Sequence, residues 1–269
     1  MTAAAFLKYF AVSRVNYRTN ATYLTNLIAR GLTVALRIWV FTQLYRVTYQ
    51  MTGSYEINGL TVPMVIFALM FTQSFQVASG HPRIFTLIDE EVKSGALAYS
   101  INKPYSYILF HYFGFLGRIL SGLMFNLIVG FIAAFLLVGP LVFSWQGILS
   151  GVVLLFLGYI LDFCISFCIG LSAFFLEDTV AFGWLYSKAQ LALGGVILPL
   201  ALFPDSIRSF TEFLPFGQLY YSAARIFVQF DFALFEKFIL AQTFWIIIFG
   251  ILMYVLFKKG IKYAAQNGG

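Results

Sequence analysis

Charge is what this chain has least of. Only 10% of its 269 residues are Asp, Glu, Lys or Arg, against about 25% in soluble domains. With 61% hydrophobic residues, a water-soluble core is excluded and a polytopic membrane protein is expected. Histidine and cysteine are equally scarce, at two each. Cys164 and Cys168 lie one helical turn apart in an apolar run and read as small core residues, with a disulfide or metal site as the alternative. The motifs of enzymes are also missing: no Gly-x-x-x-x-Gly-Lys-Ser/Thr phosphate loop, no His-Glu-x-x-His and no Gly-x-Ser-x-Gly occurs. The chain therefore has no phosphate-loop site for ATP, no zinc-protease helix and no nucleophile elbow of its own. Net charge is +6, but Lys and Arg form no stripe interleaved with aromatics, which excludes a nucleic-acid surface and makes their placement a statement about topology.

What is present is a series of membrane-length apolar runs. An all-α fold with six transmembrane helices is expected, with spans at residues 23–47, 60–79, 119–138, 147–175, 181–203 and 238–257. Residues 106–118 read as a helical lead-in to the third span. Residues 1–22 lack the clean apolar core of a signal peptide and read instead as an amphipathic N-terminal interfacial helix. Gly139-Pro140 and Pro204-Asp205 end the third and fifth runs. Residues 205–235, rich in aromatics around Pro215, suggest a re-entrant helical segment or, alternatively, a belt of interfacial aromatics.

Orientation comes from the basic residues. With the N-terminus in the cytosol, Lys8, Arg14, Arg18, Arg83, Lys93, Lys103, Lys258, Lys259 and Lys262 are cytosolic, whereas the 205–235 segment holds Arg208 and Arg225. That bias places both termini inside. The sequon Asn20-Ala21-Thr22 then faces the cytosol and is coincidental. The lack of a targeting segment fits a bacterial inner membrane.

One charged island interrupts the runs. After the His81-Pro82 turn, residues 83–95 read as a short helix with Asp89, Glu90 and Glu91 near its end and Gly95 as its stop. Asn102-Lys103-Pro104 forms a second turn. A short acidic helix between two spans suits a groove on a soluble partner, although a merely solvated loop helix has the same pattern. The sequence Ile88-x-x-x-Val92-x-Ser94-Gly95-x-Leu97, then Lys103-Pro104, resembles the permeases of ABC-2 type exporters. More narrowly, it is similar to a six-span exporter permease family related to daunorubicin- and multidrug-type exporters. Leu214-Pro215-Phe216 resembles that family's Leu-Pro-Phe, although Tyr220 to Arg225 lacks the Pro and Gly that often come after it.

The resemblance covers essentially the whole chain in its order of elements. It implies a non-catalytic permease subunit without a cofactor of its own, with ATP and Mg on a partner ATPase present in two copies. A second permease completes the complex, either a related chain, which is favoured, or a second copy. It also implies that the 83–95 helix is a cytosolic coupling helix between spans two and three. Glu90, Glu91, Gly95, Leu97, Lys103 and Pro104 would couple to the ATPase, and Pro215 and Phe216 would belong to an outer gate.

Charges inside spans cost a few kcal/mol each on insertion scales. Arg37 and Asp162 fall near midplane of spans one and four, and an ion pair between them is expected, as a packing element or a cargo contact. Lys188, in the fifth span, either snorkels to headgroups or meets an anionic cargo. The 32 Phe suit an amphipathic or hydrophobic cargo without naming it. A stand-alone channel, scramblase or secondary carrier, or an ABC permease for lipid or polysaccharide, remains an alternative. A carrier's paired broken helices have one counterpart, the Gly194-Gly195 and Pro199 interruption of the fifth run.

Overall fold

The structure is a computed structural model that describes residues 3–79, 84–177 and 179–267. His81, Pro82, Arg83 and Asp178, and with them the expected turn and the first residue of the expected 83–95 helix, lie outside the described residues.

The fold is helical apart from a two-residue hairpin. Helix α1 (Ala3–Thr22) leads through Tyr23 into α2 (Leu24–Thr52). Strands β1 (Glu56–Ile57) and β2 (Leu60–Thr61) pair antiparallel around Asn58-Gly59. Both turn residues have positive φ, 51° and 74°, as the favoured two-residue hairpin turn requires. Then come α3 (Val62–Ala78), α4 (Ile84–Lys93), α5 (Ala96–Ile101) and α6 (Tyr107–Val138), followed by α7 (Trp145–Leu171) and α8 (Val180–Leu193). The chain ends with α9 (Asp205–Phe213), α10 (Tyr221–Val228) and α11 (Phe232–Asn267). Among the described residues, α2, α6, α11 and the segment Trp145–Phe174 are long and apolar enough to cross a bilayer, and α3 is a shorter apolar helix. The protein is thus a multi-span helical membrane protein.

Three expectations from the sequence change in detail. Residues 107–138 are one continuous helix, so the expected helical lead-in and the third span are a single element. Glycines let its neighbours approach: a Cβ at Gly117 would overlap the Ser13 carbonyl of α1, and one at Gly31 of α2 would meet the Phe125 ring of α6 at 2.6 Å. The fifth apolar run is helical only to Leu193. Gly195 there has φ 69°, a left-handed geometry that only glycine takes without penalty. The carbonyls freed beyond this break are met by side chains, because Gln73 Nε2 donates to Val196 O at 2.5 Å and Tyr45 Oη to Ile197 O at 3.5 Å. Irregular backbone at membrane depth is tolerated only when protein groups satisfy it in this way. Finally, α1 packs lengthwise on the first half of α6. Tyr9 Oη accepts from the Ser106 N–H at 2.8 Å, and Asn20 Nδ2 donates to Ser121 Oγ at 2.6 Å.

The two ends of the bundle differ. At one end lie α4, the start of α6 and the end of α11: Tyr107 stacks on Phe257 at 5.6 Å, and Gly260 sits against Phe174. Lys93, Lys103 and Lys258 belong to this end. At the other end, Arg46 donates to the Leu137 carbonyl and Asn58 Nδ2 to Ala201 O at 2.8 Å. The segment of α9 and α10 starts there and runs inward. Gly147 and Gly151 of α7 face Ile226 and Phe227, and Gly158 faces the Leu219 carbonyl. Phe213 O accepts from Trp245 Nε1 at 2.7 Å. The turn between α9 and α10 therefore lies well down α7, about 20 Å from its first turn at 1.5 Å per residue.

Candidate functional site

Two arrangements concentrate the polar chemistry. The first is the seat of α4. Its apolar face, Ile84, Phe85 and Ile88, is buried against α7 and α8, where glycines make room. A Cβ at Gly170 would stand 2.6 Å from Ile88 Cβ, and one at Gly183 would overlap the Phe85 ring. Two of the three acids of the charged island turn inward. Asp89 is buried, accepts from Thr179 Oγ1 at 2.5 Å and pairs with Lys93 at 3.0 Å. Glu91 accepts from Tyr107 Oη at 2.7 Å and lies 3.5 Å from His111 Nε2. Glu90 stays exposed. The sequence pattern of an acidic tip thus resolves into two internal fasteners and one outward carboxylate.

Gly95, at φ 75°, links α4 to α5. Leu97 is buried in the core, while Tyr99 is 73% exposed with Lys103 Nζ 4.6 Å above its ring. Pro104 is exposed at the bend before α6. The corner presents Glu90, Ser94, Gly95, Ala96 and Tyr99 outward on a rigid, internally bolted support.

Burial alone raises the affinity of Glu91 for a proton, but the hydrogen bonds from His111 and Tyr107 outweigh it and hold the carboxyl below its ordinary 4.5. The stabilisation is therefore present above that value and lost as pH falls through the folded-state value. Glu91→Gln is expected to flatten the acid side of the stability profile, read as melting temperature between about pH 6 and pH 3. An unchanged slope refutes the fastening role.

The second arrangement surrounds Asp162. Its carboxylate is buried and accepts from Tyr186 Oη at 2.6 Å and Gln190 Nε2 at 3.1 Å through Oδ1, and from Tyr220 Oη at 2.9 Å through Oδ2. Tyr220 Oη also lies 2.7 Å from Ser79 Oγ at the end of α3. Asp162 of α7 thus gathers α8 and the start of α10 directly, and the end of α3 through Tyr220. A cleft of about 10 Å³ beside it, lined by Ser79, Ile84, Asp162, Ser166 and Gln190, has room for one water molecule.

The expected Arg37–Asp162 pair is not formed among the described residues. Arg37 Nη1 donates to Gln73 Oε1 at 2.8 Å and Gln76 Oε1 at 3.4 Å, because α2 packs on α3 and α6 rather than α7. Arg37 orients the same Gln73 that caps Val196 O, so it serves the break after α8. Lys188 is brought to neither charge. It is exposed over Trp184 at 5.3 Å, two positions from Tyr186 and Gln190 and so on another face of α8. Pro215 is buried and Phe216 packs its ring 6.1 Å from Tyr186, at the turn between α9 and α10 beside the Asp162 cluster.

Sequence reasoning missed Tyr186, Gln190 and Tyr220 as carboxylate partners, since tyrosine and glutamine carry no charge signal. It also missed Glu212 and Lys237, which pair at 2.8 Å between α9 and α11. Cys164 and Cys168 are free and buried.

With this layout in place, comparison with known proteins decides the family. A family model described as ABC-2 family transporter protein matches residues 7–267. The chain belongs to the ABC-2 transporter family. It is a membrane permease subunit of an ABC-type transporter, a non-catalytic transport component, and permeases of this family partner with ABC ATPase subunits. No curated protein matches the chain.

Proposed function

We propose that this ABC-2 permease exports an amphipathic or hydrophobic cargo from the cytosol or inner leaflet, using ATP and Mg²⁺ bound by a separate pair of ATPase subunits. The observation that carries the reading is the α4–α5 corner. An exposed carboxylate on α4 and an exposed aromatic on α5 flank Gly95, and the other face of α4 is locked into α6, α7 and α8, so force applied at Glu90 and Tyr99 reaches the bundle rather than bending a loop. α3 and the broken α8 supply the fifth and sixth crossings. Both termini and α4 then face the cytosol of a bacterial inner membrane, an orientation supported by the basic residues at that end.

In this reading α9 and α10 form a re-entrant plug whose tip, Pro215 and Phe216, rests on Tyr186. Asp162 joins that tip to the end of α3 just before α4, which provides a route from the ATPase contact to the plug. A related chain takes the second permease place.

The test is co-purification from solubilised native membranes, with mass-spectrometric identification of the proteins that accompany the chain. An ATPase is expected with the wild type and is expected to be lost with Glu90→Lys plus Tyr99→Ala, which alter exposed groups and leave the internal bonds of Asp89 and Glu91 intact. Retention of the ATPase by the double variant refutes the docking surface. A chain that emerges with no ATPase at all refutes the reading and returns the channel or carrier alternative.

A further inference from the structure

A cleft of about 440 Å³ opens where α1 and α2 diverge at Tyr23, within the size range of small-ligand sites, about 300–1,000 Å³. Its lining is cationic and amide-rich: Arg30 and Arg118 with Asn16, Asn20 and Asn26, and no carboxylate. The site is built rather than incidental. Asn16 Nδ2 donates to Val12 O at 2.9 Å, Asn20 Nδ2 to the Arg118 carbonyl at 3.1 Å, and Asn16 Oδ1 accepts from Arg118 Nη1 at 3.5 Å. The close approach of Ser13 to Gly117 clamps α1 onto α6 beside it. Arg118 Nη2 is buried with no acceptor among the described residues. A buried guanidinium nitrogen left without an acceptor is costly.

The depth of the cleft matters. Arg30 lies about 9 Å from the start of α2 and Arg118 about 16 Å from the start of α6 at 1.5 Å per residue. α6, at 32 residues, is about 48 Å long and overshoots a hydrocarbon core of about 30 Å. With α6 entering from the cytosol, both arginines stand at the level of the inner-leaflet headgroups. The faces of α1 turned away from α6 expose Leu7, Phe10 and Val15, which suits acyl chains alongside.

We propose that this α1–α2–α6 cleft binds the phosphate of an anionic amphiphile at the cytosolic leaflet. Arg118 and Arg30 hold the charge, the asparagine amides hold neighbouring oxygens, and the tail lies along α1. Its depth rests on the orientation proposed for the exporter, and its chemistry does not. The phosphate is carried by either a resident phospholipid or a soluble anion, and these are separable.

The experiment titrates the delipidated full-length chain, in mild detergent, with dioleoyl phosphatidylglycerol, dioleoyl phosphatidylcholine and inorganic phosphate, read by native mass spectrometry. One phosphatidylglycerol per chain is expected, at least about tenfold tighter than phosphatidylcholine, with the preference cut about tenfold by Arg118→Gln or Arg30→Gln. Arg14→Gln, exposed on α1 and outside the cleft, leaves it unchanged. Displacement of bound phosphatidylglycerol by millimolar phosphate assigns the site to phosphate itself, and its retention in millimolar phosphate assigns the site to a lipid headgroup. If Arg118→Gln does not stay monodisperse, Arg118→Lys, which keeps the charge, is expected to keep the preference, and Arg30→Gln carries the test. Equal binding of the two lipids, or a preference indifferent to both arginines, overturns the proposal. Because the titration needs no ATPase, its failure leaves the exporter reading standing, and a chain without an ATPase partner leaves the cleft open to test.

Discussion

Asp162→Leu is expected to be among the most damaging single substitutions in the chain. The side chain is buried at the meeting of α3, α7, α8 and α10, and it accepts from Tyr186, Gln190 and Tyr220. Leucine has a similar size and no acceptor, so Tyr186 Oη and Gln190 Nε2 lose this acceptor at once, while Tyr220 Oη keeps only Ser79 Oγ. Each orphaned donor costs about 1–3 kcal/mol, and the losses are coupled because the groups share one carboxylate. A total of roughly 5 kcal/mol is a large part of the stability of an ordinary domain. Reduced accumulation in membranes, a lowered melting temperature in detergent and loss of ATP-driven transport are expected together. Asp162→Asn separates folding from mechanism. Its carbonyl still accepts, and the tyrosine hydroxyls can rotate to receive its N–H groups, so the chain is expected to fold with a loss of about 1–2 kcal/mol. If the leucine variant melts like the wild type, the cluster is not the junction of these four elements.

The same cluster shows what could be read from the residues. Long apolar runs give long helices, because backbone groups in lipid must be satisfied within the segment. Gly194-Gly195 marks an interruption of the fifth run, because its geometry is one that few residues accept, whereas the short hairpin at Asn58-Gly59 was not anticipated before the second span. Partner choice is different. Arg37 and Asp162 each needed a buried partner, and pairing them was the economical expectation. The bundle instead places α2 against α3, so Arg37 finds the amides of Gln73 and Gln76. Asp162 finds hydroxyls contributed from Tyr186 and Tyr220, far apart in the sequence. Nothing local to these residues encodes that choice, since it depends on which faces of α2, α3 and α7 meet. The charged island shows the same limit. Its acids were visible, but the inward turn of Asp89 and Glu91 depends on Thr179, Tyr107 and His111 on other elements.

Gly170→Val is expected to disconnect the ATPase from the bundle while leaving the chain in the membrane. A Cβ at this position would stand 2.6 Å from Ile88 Cβ and 3.0 Å from the Phe85 carbonyl, so valine cannot be accommodated unless α4 moves off α7. Overpacking of this kind costs about 1–3 kcal/mol, and the shift falls on α4, a ten-residue helix, rather than on α7, whose apolar length is unchanged. Lifting α4 also pulls Asp89 from Thr179 and Glu91 from Tyr107, which removes the bolts that make the corner stiff. Reconstituted complexes are therefore expected to hydrolyse ATP with about a tenfold lower yield of transport per ATP, since force at the corner is spent in displacing α4. Gly250→Val is the matched control. It lies on α11, where a Cβ meets nothing within 4 Å, and is expected to transport normally. A transport-to-ATP ratio equal for both variants would mean that the seat of α4 is not the path of the force, and that coupling enters through α1 or the end of α11 instead.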